Sequence, residues 1–130
     1  MSSVTITAPA RKAFVNLIRT TVCSACRRLD LTIDDLDDIS LAVDEACACL
    51  LSQPSEPTRL RVEVRPFDGG VEVTVSVDTA IDWPPPQIQT TLSWHIMTAL
   101  MDSVTSVITD AGPSFLMKKE TRVTLGDRVT

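Results

Sequence analysis

"TRLRVEVRPFDGGVEVTVSVD", residues 58–78, decides the fold. Leu60, Val62 and Val64 alternate with Arg59, Arg61, Glu63 and Arg65. Val71, Val73, Val75 and Val77 then alternate with Glu72, Thr74, Ser76 and Asp78. Successive side chains of a strand point to opposite faces, so each run makes a strand with one dry and one wet face. Strands of this kind belong to antiparallel sheets. "PFDGG" (66–70) supplies the Asp-Gly turn that joins them.

Upstream, "TIDD" (Thr32 to Asp35) is a capping-box pattern: Thr32 caps and Asp35 reaches back. The helix it opens is expected to run to about Ser52, with Leu36, Ile39, Val43, Ala46, Cys47 and Leu50 as its apolar stripe. Pro54 and Pro57 end it. An earlier helix is expected at about 10–29, with Pro9 at its start, where a missing N–H costs nothing. Its apolar face reads as Phe14, Leu17, Ile18, Thr21 and Ala25, and residues 2–7 read as a short edge strand before it.

Downstream, 79–90 reads as an irregular loop holding Pro84 to Pro86, and "TLSWHIMTALMDSV" as a helix over about 91–103. "TSVITDAGPSFLMKKETRVTL" (105–125) reads as two more strands turning at Asp110 to Pro113. The order β-α-α-β-β-α-β-β specifies an α+β two-layer sandwich, a mixed, mainly antiparallel sheet with helices on one face. At 130 residues the chain fits a single domain, 1–130.

Hydrophobic residues make up 44% of the chain, enough for a core, and the net charge is −5. That balance argues against nucleic acid as a direct partner, because phosphate binding needs a basic face. No apolar run approaches the roughly 20 residues of a membrane span. "MSSVTITAPA" is not a secretory signal, so a cytoplasmic location with reduced thiols is expected.

The candidate chemistry lies mainly on the second helix. Cys23 and Cys26 form a CxxC pair and Cys47 and Cys49 a CxC pair. Residues two apart on a helix point roughly 200° apart, so a four-thiolate zinc site is poorly served, and buried thiols acting as small hydrophobes are the default. His95 is the lone histidine; a triad drawn with Ser93 or Ser114 has no support in the spacing. Trp94, Met97 and Met101 read as core or interface. Glu45 and Cys49, four apart on one flank, could present a carboxylate to a pocket under the 79–90 loop.

Three segments together resemble the anti-sigma factor serine-protein kinases, small members of the histidine-kinase/gyrase/Hsp90-like (GHKL) ATPases with the Bergerat fold. "DISLAVDEACACLL" resembles the helix that carries the family's general base and magnesium-binding Asn. Ala42, Val43 and Glu45 match, and Cys49 stands at the Asn position. "VEVTVSVDTAID" resembles the strand and turn carrying the adenine-binding Asp. Val77 stands at that position, Asp78 one residue beyond, and Thr79 or Ala80 where a Gly is usual. "TLSWHIMTALMDSV" resembles the "GLGL" box and its helix, with Thr91 and Ser93 in place of two glycines and Ala99 to Asp102 and Val104 on the helix half. "GPSFLMKK" resembles the final Gly-x-Thr strand, with Ser114 at the Thr position.

The resemblance implies a GHKL-like sandwich and an anti-sigma factor that binds a sigma factor, with an anti-sigma factor antagonist competing for it. It also implies dimer formation, and a sigma-binding face on the first helix and edge strand. Active members use ATP and magnesium to phosphorylate the antagonist on serine. With Cys49, Thr91 and Ser93 in place, kinase activity is expected to be weak or lost, with nucleotide binding persisting at low affinity at most; Glu45 is the residue carried over as base. Three other readings remain open: a working kinase that recruits Asp44 or Asp78 to the metal, a pure partner-binding module with no sigma factor involved, and a thiol-based redox module using Cys23, Cys26, Cys47 and Cys49.

Overall fold

The computed structural model describes residues 2–121. Its strands are β1 (Val4–Pro9), β2 (Arg59–Phe67), β3 (Gly70–Val77), β4 (Ser103–Thr109) and β5 (Gly112–Glu120). Its α-helices are α1 (Val15–Cys26), α2 (Ile33–Leu51) and α3 (Leu92–Leu100). The five strands form one sheet in the order β1-β2-β3-β5-β4; the sheet was expected to be mixed but mainly antiparallel, and every pairing is antiparallel.

The expected hairpin is β2–β3. Its register sets Leu60, Val62 and Val64 opposite Val77, Val75 and Val73, and all six are buried. Gly69, at φ +98°, makes the turn. β5 continues the dry face with Phe115 opposite Val75 and Met117 opposite Val73. Burying side chains of this size contributes roughly 1.5–3 kcal/mol each. The other face is polar, but Glu72, Ser76 and Ser114 on it are buried. Along one rung of it, Glu72 is bonded by Arg65 and lies 3.9 Å from Lys118.

The helices cover the dry face, with α2 between α1 and α3 and packed on β3 and β5. The capping box forms: Thr32 Oγ1 accepts from the Asp35 amide at 3.0 Å, and an Asp35 oxygen accepts from the Thr32 amide at 3.2 Å. Ile39, Val43, Ala46, Cys47 and Leu50 are fully buried, as the stripe requires.

Several boundaries differ from expectation. β1 runs to Pro9, which pairs with Arg59 and so ends the strand instead of opening a helix. Pro suits an edge strand because its missing donor breaks no ladder bond. α1 therefore starts only at Val15, after a 3₁₀ turn over Lys12–Phe14. Its buried face is Ile18, Val22 and Cys26, while Leu17 is 52% exposed. α3 stops at Leu100 because Met101 is extended and Ser103 already pairs with Lys118. The loop after β3 is not wholly irregular: Ile88–Thr90 form a 3₁₀ turn, and Trp83 and Ile88 are buried. The expected last strand reached Leu125; its residues 122–125 lie outside those described.

Candidate functional site

The C-terminal half of α2 meets the N-terminus of α3. Ser93 Oγ donates to Glu45 Oε1 at 3.2 Å. One turn along α2, Cys49 faces an open cleft of ≈ 800 Å³ shared with Lys12, Gln53, Ile88, Thr91 and Ser93. Glu45, Cys49, Thr91 and Ser93 are therefore brought together, as the spacing along the two helices requires.

The groups in this cleft are largely committed. Thr91 Oγ1 caps α3 by accepting from the Trp94 amide at 3.2 Å, and donates to the Ile88 carbonyl at 2.7 Å. Gln53 Nε2 donates to the Cys49 carbonyl at 3.0 Å and lies 3.9 Å from its sulfur. Burial raises the Cys49 thiol above its usual range, and the Glu45 carboxylate adds to this; Gln53 offsets only part of it. The thiol is thus neutral. A neutral thiol is a poor ligand for magnesium, which demands oxygen donors in a near-octahedral shell. This position does not fit the metal that the resemblance implies.

The other candidates lie elsewhere. Asp44 turns toward α1, where Arg19 Nη1 reaches Asp44 Oδ2 at 2.7 Å, so it cannot replace Cys49 as a ligand in the cleft. Asp78 is exposed at the sheet's rim, where it accepts from the amides of Thr58 and Arg59 at 2.8 and 2.7 Å and from the Thr58 hydroxyl. Partial desolvation by itself raises its pKa, but these donors outweigh that and hold it below the usual carboxylate value. Ser114 sits on the sheet face opposite Phe115. Its hydroxyl lies 2.7 Å from that of Ser76 and 2.9 Å from that of Thr109. Alternation along β5 puts it there, away from Glu45.

Cys26 and Cys47 are buried, and burial is the main reason that both thiols are pushed up to about 12, with smaller contributions from Cys23 and Asp44. Among the described residues no cluster of His, Cys, Asp and Glu side chains forms a metal site. Iodoacetamide at neutral pH is expected to modify Cys23, the half-exposed thiol, and to reach Cys26, Cys47 and Cys49 only after unfolding, because the thiolate is the nucleophile. Intact-mass spectrometry with and without urea checks this; rapid native labelling of Cys49 would contradict it. His95 is exposed on α3.

Lys12, Gln53 and Trp83 were not among the sequence candidates. Lys12 reaches the cleft from the 3₁₀ turn before α1, and no local pattern marks it. A lone tryptophan amid prolines was the available signal for Trp83.

No family model matches the chain. It is 34% identical over 102 residues to an anti-sigma-F factor RsbW of Mycobacterium tuberculosis, covering 78% of this chain and 60% of that protein. The chain is a homologue of RsbW. A second match, 44% identical over 45 residues, is to a serine-protein kinase RsbW of Halalkalibacterium halodurans, over 35% of this chain and 28% of that one. In structure, the chain aligns over 92% of its length, with a TM-score of 0.70 and 15% identity, to the RsbU and RsbW domains of a Mycobacterium tuberculosis protein, covering 32% of that chain. The fold is thus that of an RsbW domain, in keeping with the GHKL-like sandwich. The chain spans about three-fifths of the tuberculosis anti-sigma-F factor. Among the described residues no helix is long and apolar enough to cross a membrane.

Proposed function

We propose that this RsbW homologue is an anti-sigma factor that holds a sigma factor away from RNA polymerase, acts in the cytoplasm, and is released by an anti-sigma factor antagonist. In this reading the antagonist competes by binding, and phosphoryl transfer contributes little. One observation carries it: the chain matches an anti-sigma factor over most of its length, while the metal-ligand position in its cleft holds the neutral, buried thiol of Cys49. Phosphoryl transfer depends on positioned phosphates and a metal that spreads charge, and neither Cys49 nor the self-capped Thr91 supports that. Glu45 keeps the place of the base and here ties α2 to α3 through Ser93.

Each sigma factor of the source organism, purified and mixed with this chain, tests the reading. The expected result is a stoichiometric complex with one of them on size exclusion, unchanged by EDTA and needing no ATP. Failure of every sigma factor to bind would end it. The short match to a serine-protein kinase favours a second reading, an active kinase. Labelled ATP with the cognate antagonist distinguishes the two: phosphoserine on the antagonist would favour the kinase.

A further inference from the structure

The turn between β2 and β3 carries Asp68 followed by Gly69, the chain's only Asp-Gly pair. Both residues are exposed. Among the described residues nothing bonds or pairs with the Asp68 carboxylate. Gly69 has φ +98°, and nothing stands within 4 Å of where its Cβ would be. Its nitrogen donates to nothing among the described residues. Its carbonyl is engaged: it accepts from the Thr121 amide at 2.7 Å and from the Thr121 hydroxyl at 3.2 Å. Asp102, the aspartate that precedes a serine, is placed differently, because its Oδ2 is held by the Glu120 amide at 2.6 Å.

An aspartate side chain is long enough for its Cγ to meet the nitrogen of the next residue. A neighbour without a Cβ does not crowd that approach. Here the carboxyl is unheld, the nitrogen is unengaged and the space around the pair is open. We propose that Asp68 is a site of spontaneous covalent modification, at which Gly69 closes on it to a succinimide that reopens as isoaspartate.

The steps balance without an oxidant or a co-reactant other than water. The bond from Gly69 nitrogen to Asp68 Cγ forms and a Cγ–O bond breaks. The amide proton and the hydroxyl leave as one water. A water then adds to the ring. Breaking the bond to Cγ restores aspartate, and breaking the bond to the main-chain carbonyl leaves isoaspartate. The main chain then runs through Cβ and Cγ and is one carbon longer within a two-residue turn. That length moves the Gly69 carbonyl away from Thr121, so the modification also loosens the end of β5.

The full chain is kept at 37 °C for several weeks beside a synthetic peptide of residues 64–72. Glu-C digestion and chromatography then separate the aspartate and isoaspartate forms of that segment. The expected rate in the folded chain lies within about threefold of that in the peptide, as for a turn that reacts without unfolding. A rate more than about tenfold slower, the mark of a site that must first open, would overturn the proposal. Closure needs the protonated carboxyl, whose hydroxyl can leave, so isoaspartate should accumulate faster at pH 5 than at pH 8; the reverse order would overturn the chemistry. Asp68→Glu keeps the charge on a longer side chain that closes far more slowly, and it should abolish the signal. Isoaspartate that persists elsewhere in this variant at the wild-type total would overturn the assignment to Asp68. In the purified isoaspartate form the Thr121 amide, read by NMR, should exchange with solvent faster than in the fresh protein. Unchanged exchange would overturn the loosening of β5.

Discussion

Lys119→Met is expected to lower the unfolding free energy by about 3–5 kcal/mol, the cost of removing one partner from a buried ion pair. The Lys119 side chain is 4% exposed and its ammonium is shared by three elements. It donates to Asp38 Oδ2 at 3.0 Å and to the Leu100 carbonyl at 2.6 Å, and it lies 3.9 Å from Asp35 Oδ1. It thereby joins β5 to the first turns of α2 and the last residue of α3. Methionine keeps most of the stem and so isolates the charge. Asp38 is about one-third exposed and can rehydrate. Asp35 is 6% exposed, and it and the Leu100 carbonyl cannot. Most of the loss therefore comes from them. Total stability of a domain is roughly 5–15 kcal/mol, so the variant should be marginal. Urea unfolding at unchanged m value measures it, and a loss below about 1 kcal/mol would place Lys119 with ordinary surface pairs. Adding Asp35→Asn to Lys119→Met should restore part of the loss by removing the stranded charge.

Gly112→Ala should be comparably damaging for a different reason. Gly112 has φ +116°, and a Cβ there would stand 2.1 Å from the Val77 carbonyl oxygen. Backbone in that region costs a side chain roughly 1–3 kcal/mol. The clash adds to it, because the obstacle is the main chain of β3 and no rotamer change relieves it. We expect a total above about 3 kcal/mol, at the diagnostic end of single substitutions. Gly69→Ala is the control. Its φ is +98°, yet nothing lies within 4 Å of the added Cβ, so it should show the strain alone. Equal losses in the two variants would mean that the close approach of β5 to the end of β3 contributes nothing.

Features fixed within a few residues of chain were legible in advance. The Thr32–Asp35 capping box spans four residues, and it placed the start of α2. The Asp68–Gly69 turn and the valine alternation marked β2 and β3, while their register came from the structure. What was misread depends on distant partners. Pro9 is a strand residue because Arg59 pairs with it, so α1 begins later than expected, and its buried face is Ile18, Val22 and Cys26. Asp78 left the expected site because the amides of Thr58 and Arg59 hold it. The inward position of Lys119 was visible in its alternation with Phe115 and Met117. Its partner Asp38 stands 81 residues earlier, and no local pattern names it. In the cleft, Glu45, Cys49, Thr91 and Ser93 met because each sits at a predictable place on its helix. The Trp83 position needed the sheet to be assembled first.

The strand order has a bearing on biosynthesis. β5 stands between β3 and β4, yet it follows both along the chain. While the polypeptide emerges from the ribosome, β1, β2, β3 and the first two helices can associate, but one side of β3 then stays open. That side is a run of valines with unpaired amides and carbonyls, the kind of edge on which a second chain can template. Domains form during translation at roughly 5–20 residues per second, so the exposure lasts some seconds. The late strand thus doubles as a safety cover, and slow decoding or a substitution that delays its docking would show first as aggregation in the cell.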